Sequence, residues 1–124
     1  MNRNLEEKVV SYLRTLEVSD FSSARSLFAG TATVWHNDGK GDETLEEYFE
    51  GLARQLESYH SIRYDIIRQF TQQDAVLQQH VVRVEAKNGE RGGVHAAVYF
   101  RFDKDGLIER VEAYANYIPD VRDR

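Results

Sequence analysis

The sequence predicts an α+β domain: a mostly antiparallel sheet with one face covered by three N-terminal helices. Two observations carry this. Segments 75–86, 94–102 and 107–117 alternate apolar and polar residues with period two, whereas the first half of the chain spaces its apolar residues as helices do. The clearest strand is 94–102, VHAAVYFRF. Val94, Ala96, Val98, Phe100 and Phe102 share one face, and His95, Ala97, Tyr99 and Arg101 share the other. A strand with this pattern rests one face on a core. The three strands together form a meander, and the upstream elements cover its apolar side.

In chain order, Leu5, Val9, Tyr12, Leu13 and Leu16 make one helical stripe, with Asn4 as its expected cap. Tyr12 falls on the buried side, where its hydroxyl needs a partner; a backbone carbonyl would serve. Asp20 caps a second short helix whose apolar residues are Phe21, Ala24, Leu27 and Phe28, and Gly30 is expected to end it. Residues 31–36, TATVWH, favour a strand, and 37–41, NDGKG, a loop. Asp42 or Thr44 caps the third helix, whose stripe of Leu45, Tyr48, Phe49, Leu52, Leu56 and Tyr59 runs four turns. Gly51 lies inside it, marking either close packing or a tolerated surface position.

Residues 62–70 begin as a strand, but Ile67 breaks the alternation and predicts a bulge or an edge. In 75–86 the even face carries Val76, Gln78, His80, Val82 and Val84. Asn88–Gly89 signals a hairpin. A two-residue turn would set Val82 opposite His95 and mix the faces. An odd-length loop, or a bulge at Gly92 and Gly93, would pair even positions with even ones. Residues 103–106 turn into the last strand, which Pro119 closes.

The 124 residues suit one domain over 1–124, and 41% hydrophobic with 11% aromatic residues can fill a core. A net charge of −5 argues against non-specific nucleic-acid binding. Without cysteine there is no disulfide, thiolate metal site or cysteine nucleophile. No apolar run approaches the roughly 20 residues of a membrane span, and MNRNLEEK lacks the apolar region of a signal peptide. Cytoplasmic residence, without a membrane partner, is the expectation.

Gln78 and His80 stand out because two adjacent inward polar residues cost free energy unless hydrogen-bonded. A pocket lined by apolar residues with a few polar groups accounts for them; so does a satisfied core histidine with a structural glutamine. Tyr12, Phe49 and Leu52 from the helices would complete the pocket, with Trp35 and His36 from TATVWH. From the sheet, Val82, Val98, Phe100, Val111 and Ala113 would line it. His60 reads as a solvated boundary residue, and His95 as a residue of the opposite face. No spacing motif for a metal, a phosphate loop or a serine triad is present, so neither metal nor cofactor is expected.

The order of elements, with ARSLFAGTATVW at 24–35 and FRFDKDGLIERV at 100–111, resembles the nuclear transport factor 2-like superfamily. Within it the chain is similar to the SnoaL-like branch, which includes polyketide cyclases and is related to ketosteroid isomerases. The resemblance implies a cone: a curved sheet closed by three helices around a pocket. It places Tyr12 where ketosteroid isomerases carry the tyrosine that donates to a developing oxyanion. The family's carboxylate base falls on His36, and the second oxyanion acid falls on Val98. The base is therefore of a different type and the second donor is absent.

The function implied is proton transfer on a small hydrophobic carbonyl substrate, by an isomerase, cyclase or dehydratase. His36 or His80 would act as base, Tyr12 as oxyanion donor, and Gln78 would orient the substrate. The alternative is a non-catalytic domain of the same fold that binds a hydrophobic ligand. The outer sheet face, with Tyr99, Tyr114, His95, Leu77, Val81 and Arg101, is expected to form a homodimer, as family members commonly do.

Overall fold

The computed structural model describes residues 2–120. The elements are α1 (Asn2–Glu17), α2 (Phe21–Arg25), β1 (Phe28–His36), β2 (Asp42–Thr44), α3 (Leu45–Leu56), β3 (Tyr59–Gln72), β4 (Ala75–Ala86), β5 (Arg91–Phe102) and β6 (Ile108–Pro119). The six strands form one sheet in the order β2-β1-β6-β5-β4-β3. All neighbours are antiparallel except β1 and β6, which run parallel. Among the described residues no helix is long and apolar enough to cross a membrane.

The even-to-even pairing of β4 with β5 is observed: Gln78 faces Val98, His80 faces Ala96 and Val82 faces Val94. An odd-length loop achieves it. Ala86 N–H donates to Glu90 O at 2.8 Å, and Gly89 takes the left-handed conformation (φ 93°) that closes such a turn. Gly92 and Gly93 stay in regular register with Val84 and Arg83. Their lack of a side chain serves packing instead, since a Cβ on Gly92 would meet the Tyr117 ring and one on Gly93 the Val81 side chain. The irregularity at Ile67 is present: Ile66 pairs with His80 and Arg68 with Gln79, on a strand that is also the sheet edge.

Three boundaries differ from expectation, at Asn4, Gly30 and Tyr59, and the choice between two expected caps of α3 is resolved. Asn4 lies within α1 rather than capping it. Gly30 belongs to β1, because α2 ends at Arg25 and the pairing of Phe28 with Ile108 has already begun the strand. Thr44, not Asp42, caps α3 through a reciprocal capping box with Glu47. The α3 stripe stops at Leu56, and Tyr59 opens β3. Gly51 is an open position, where a Cβ would meet nothing nearer than an Arg54 guanidinium nitrogen at 3.9 Å.

The helices cover one face of the sheet. Val9, Leu13 and Leu16 of α1 are almost fully buried, and α1 packs on β3. Tyr12 stands edge-on to Phe28 and Phe100, with centroids 5.2 and 6.2 Å away. Phe49 of α3 stands edge-on to Phe28 at 5.7 Å. This aromatic contact fills the core with hydrocarbon, and each such ring contributes roughly 1.5–3 kcal/mol by burial.

Candidate functional site

The strand TATVWH delivers His36 to the helix-covered face, because Ala32 and Val34 on the same parity are buried. Asn37 then fixes the end of β1 with its own amide. Its Nδ2 donates to Ala115 O at 3.3 Å and its Oδ1 accepts from Ala115 N–H at 3.1 Å, so a side chain prolongs the β1–β6 ladder. Strand β2 brings Glu43 to His36, at 3.7 Å from Glu43 Oε1 to His36 Nδ1. Arg110 of β6 ties β2 to this edge through Asp42, and contacts to β1 and to its own strand fix the guanidinium. On the opposite face it donates to Asp42 at 2.9 Å, Glu112 at 2.9 Å and Thr33 Oγ1 at 2.9 Å.

A cleft of about 330 Å³ opens between α3 and this edge, lined by His36, Asp38, Glu43, Tyr48, Gly51, Leu52 and Gln55. The Tyr48 ring stacks on His36, with centroids 5.9 Å apart and planes 27° apart. Behind it, the Tyr48 hydroxyl shares a hydrogen bond of 2.5 Å with the Tyr12 hydroxyl. Tyr12 is thus bonded to a second phenol rather than to a backbone carbonyl. Burial pushes the Tyr48 phenol up to about 12, and burial together with Tyr48 and Tyr64 raises Tyr12 well above the usual phenol value. Both hydroxyls keep their protons at neutral pH, and in the bond they share one donates and the other accepts.

Across the sheet floor, His36 leads through Ala113 and Val98 to Gln78 in register. Three strand spacings make this about 14 Å along the sheet. Gln78 is fully buried, and its Oε1 lies 2.6 Å from His80 Nδ1. Its Nε2 donates to Gln69 Oε1 at 3.0 Å. The His80 ring stands edge-on to Tyr64 at 5.1 Å. Burial lowers the His80 imidazole to about 4 and raises the Tyr64 phenol.

The expected residues therefore separate into groups. His36 and Leu52 line the cleft, and Tyr12 reaches it through Tyr48. Phe49, Phe100 and Val111 are buried in the core, where they pack on neighbouring apolar groups and do not line the cleft. Val98 and Ala113 form the floor between His36 and Gln78, and Val82 sits farther along, half-buried between Val94 and Tyr64. Trp35 is a correction: its ring packs on Tyr114 at 5.0 Å, on the opposite face of the sheet. Alternation within β1 puts Trp35 and His36 on opposite sides, so one pocket cannot hold both. His60 and His95 are exposed. Among the described residues no three His, Asp or Glu side chains converge to hold a metal ion.

Four contributors were not anticipated: Glu43, Tyr48, Tyr64 and Gln69. Tyr48 had a legible signal, since a second tyrosine on a buried stripe is also a second hydroxyl in need of a partner.

Solved structures share the fold at low sequence identity. AclR, a putative hydroxylase from Streptomyces galilaeus, superposes with a TM-score of 0.84 at 12% identity, covering 94% of this chain and 91% of its own. SalBIII, an epoxide hydrolase/cyclase-like enzyme of pyran ring formation in the polyether salinomycin, gives 0.79 at 18%, covering 92% of each chain. A protein with a ketosteroid isomerase-like fold from Catenulispora acidiphila gives 0.75 at 19%, covering 87% of this chain and 84% of its own. These likenesses establish the cone-shaped α+β fold of the nuclear transport factor 2 type. No curated protein matches by sequence. The family model for the SnoaL-like domain matches residues 9–111, and with most of its length inside that match the chain belongs to the SnoaL-like domain family.

Proposed function

We propose that the chain is a small-molecule enzyme that moves a proton on a hydrophobic carbonyl substrate, with His36 as the base and Tyr48 as the oxyanion donor. The observation that carries this is the His36–Tyr48 stack in an open cleft, with a carboxylate on one side and a second phenol behind. His36 takes the proton next to the carbonyl: a C–H bond breaks, an N–H bond forms, and the charge moves to the carbonyl oxygen. Tyr48 donates to that oxygen while Tyr12 donates to Tyr48. Glu43 offsets the charge of the imidazolium. Return of the proton to another carbon is an isomerisation, attack of the carbanion on a second carbonyl is a cyclisation, and loss of a neighbouring hydroxyl is a dehydration. His80 is less suited to the base, since an imidazole lowered to about 4 is a poor proton acceptor near pH 7.

The SnoaL-like family and the solved structure described as epoxide hydrolase/cyclase-like support an enzyme reading of this kind. The test is deuterium exchange. Two-ring ketones such as 1-tetralone are incubated with the protein in D2O, and loss of the proton next to the carbonyl is followed by NMR. Exchange catalysed by the wild type and lost in His36→Ala is expected. Binding without exchange would assign the cleft to a non-catalytic ligand-binding domain.

A further inference from the structure

Strand β2 is too short and too polar to hold itself in place. It has three residues, none apolar, and forms the outer edge of the sheet with three pairs to β1. A strand without buried hydrocarbon gains little from its ladder alone. Two side-chain locks flank Glu43. After it, Thr44 is fastened by the capping box with Glu47. Before it, Asp42 accepts at 2.9 Å from the Arg110 guanidinium, which reaches over β1 from β6. That guanidinium is 18% exposed, and Thr33 and Glu112 aim it. Alternation then turns Glu43 to the other side of the sheet, opposite Val34 and 3.7 Å from His36 Nδ1. A carboxylate at Nδ1 favours the tautomer with its hydrogen there, which leaves the lone pair on Nε2.

We propose that Arg110 is a positioning residue for the His36 cleft: by gripping Asp42 on one face of the sheet it holds Glu43 against His36 on the other, and so keeps the lone pair on Nε2, the nitrogen that takes the substrate proton. The inference rests on the proposed reading of His36 as the base, which it extends to a residue that does not line the cleft. Arg110 acts on the imidazole only through Asp42 and Glu43. The His36 and Glu43 side chains are 34% and 38% exposed, so water weakens their interaction and the effect on rate is moderate.

The test is a double-mutant cycle read on the exchange of 1-tetralone in D2O. Arg110→Met should lower the maximal exchange rate about tenfold with KM little changed, since no group that touches the ketone is lost. Asp42→Ala breaks the same contact from β2 and leaves Arg110 with Thr33 and Glu112, and it should have the same effect. In a Glu43→Ala background neither change should lower the rate further. Nitrogen-15 NMR of His36 reads the positioning without any substrate. The wild type should carry its hydrogen on Nδ1, and Arg110→Met and Asp42→Ala should mix the two tautomers. A tenfold loss from Arg110→Met that persists in the Glu43→Ala background overturns the inference, because Arg110 would then act by another route. Unchanged rates in both single variants, or a wild type with its hydrogen on Nε2, overturns it as well. A wild type that exchanges no ketone proton removes the reading of His36 as the base, and the tautomers of the wild type and the two variants then decide whether Arg110 positions Glu43.

Discussion

The hydroxyls of Tyr12 and Tyr48 lie 2.5 Å apart, although 36 positions separate them in the chain. The contact ties α1 to α3 at the back of the cleft and divides the labour between two phenols. Tyr48 lines the cleft, whereas Tyr12 is 3% exposed and sits behind it. Tyr48→Phe should therefore lower turnover by about 10²- to 10³-fold, the usual cost of losing an oxyanion donor. Tyr12→Phe should cost about tenfold, because it removes only the support for that donor. The double variant should cost little more than Tyr48→Phe alone. Steady-state rates on one substrate decide it, and a larger effect from Tyr12→Phe would reverse the assignment.

Burial of His80 predicts a pH dependence of stability. Its imidazole is held down at about 4 in the folded state and titrates near 6.5 when unfolded. Above about pH 6.5 neither state holds the proton. As pH falls from there to about 4, the unfolded chain takes it up and the native one does not. Stability is lost over that window, about 3 kcal/mol in all, and no further loss from this group follows below it. Urea unfolding of wild type and His80→Gln at several pH values isolates the effect, since carboxylates common to both cancel. Wild type should lose more stability than the variant between pH 6.5 and 4, and parallel curves would refute it.

Gly51 offers a stabilising change. It lies within α3, and a Cβ there meets only the flexible end of Arg54 at 3.9 Å. Gly51→Ala should add about 0.5–1 kcal/mol through the helix preference of alanine. Thermal unfolding should shift upward by about 2–4 °C.

The convex face exposes Phe70 (64%), Leu77 (43%) and Tyr114 (58%), with Phe70 and Leu77 paired across β3 and β4. Val81 on the same face is buried and Arg101 is engaged by Glu109, so the apolar residues carry any contact there. We propose that a second copy of the chain covers this face, where large apolar side chains are exposed on several strands. Light scattering should give twice the monomer mass for wild type and a monomer for Leu77→Asp with Tyr114→Glu. A wild-type monomer at micromolar concentration would exclude the dimer.

Much of the sheet is legible in the sequence, because period two is a property of a segment by itself. The inward placement of Gln78 and His80, the even-to-even register of β4 and β5, and the bulge at Ile67 all follow from alternation. So does the separation of Trp35 from His36, once alternation is applied to β1 as strictly as to β5. Strand β2 was not legible: three polar residues carry no pattern, and Arg110, distant in the chain, holds Asp42 in place. The same distance hid Glu43 beside His36 and Tyr48 beside Tyr12. Local spacing dictates which face a side chain takes, since that is fixed by backbone geometry over a few residues. Which partner it meets on that face depends on how helices and strands far apart in the chain come together, and packing alone decides that.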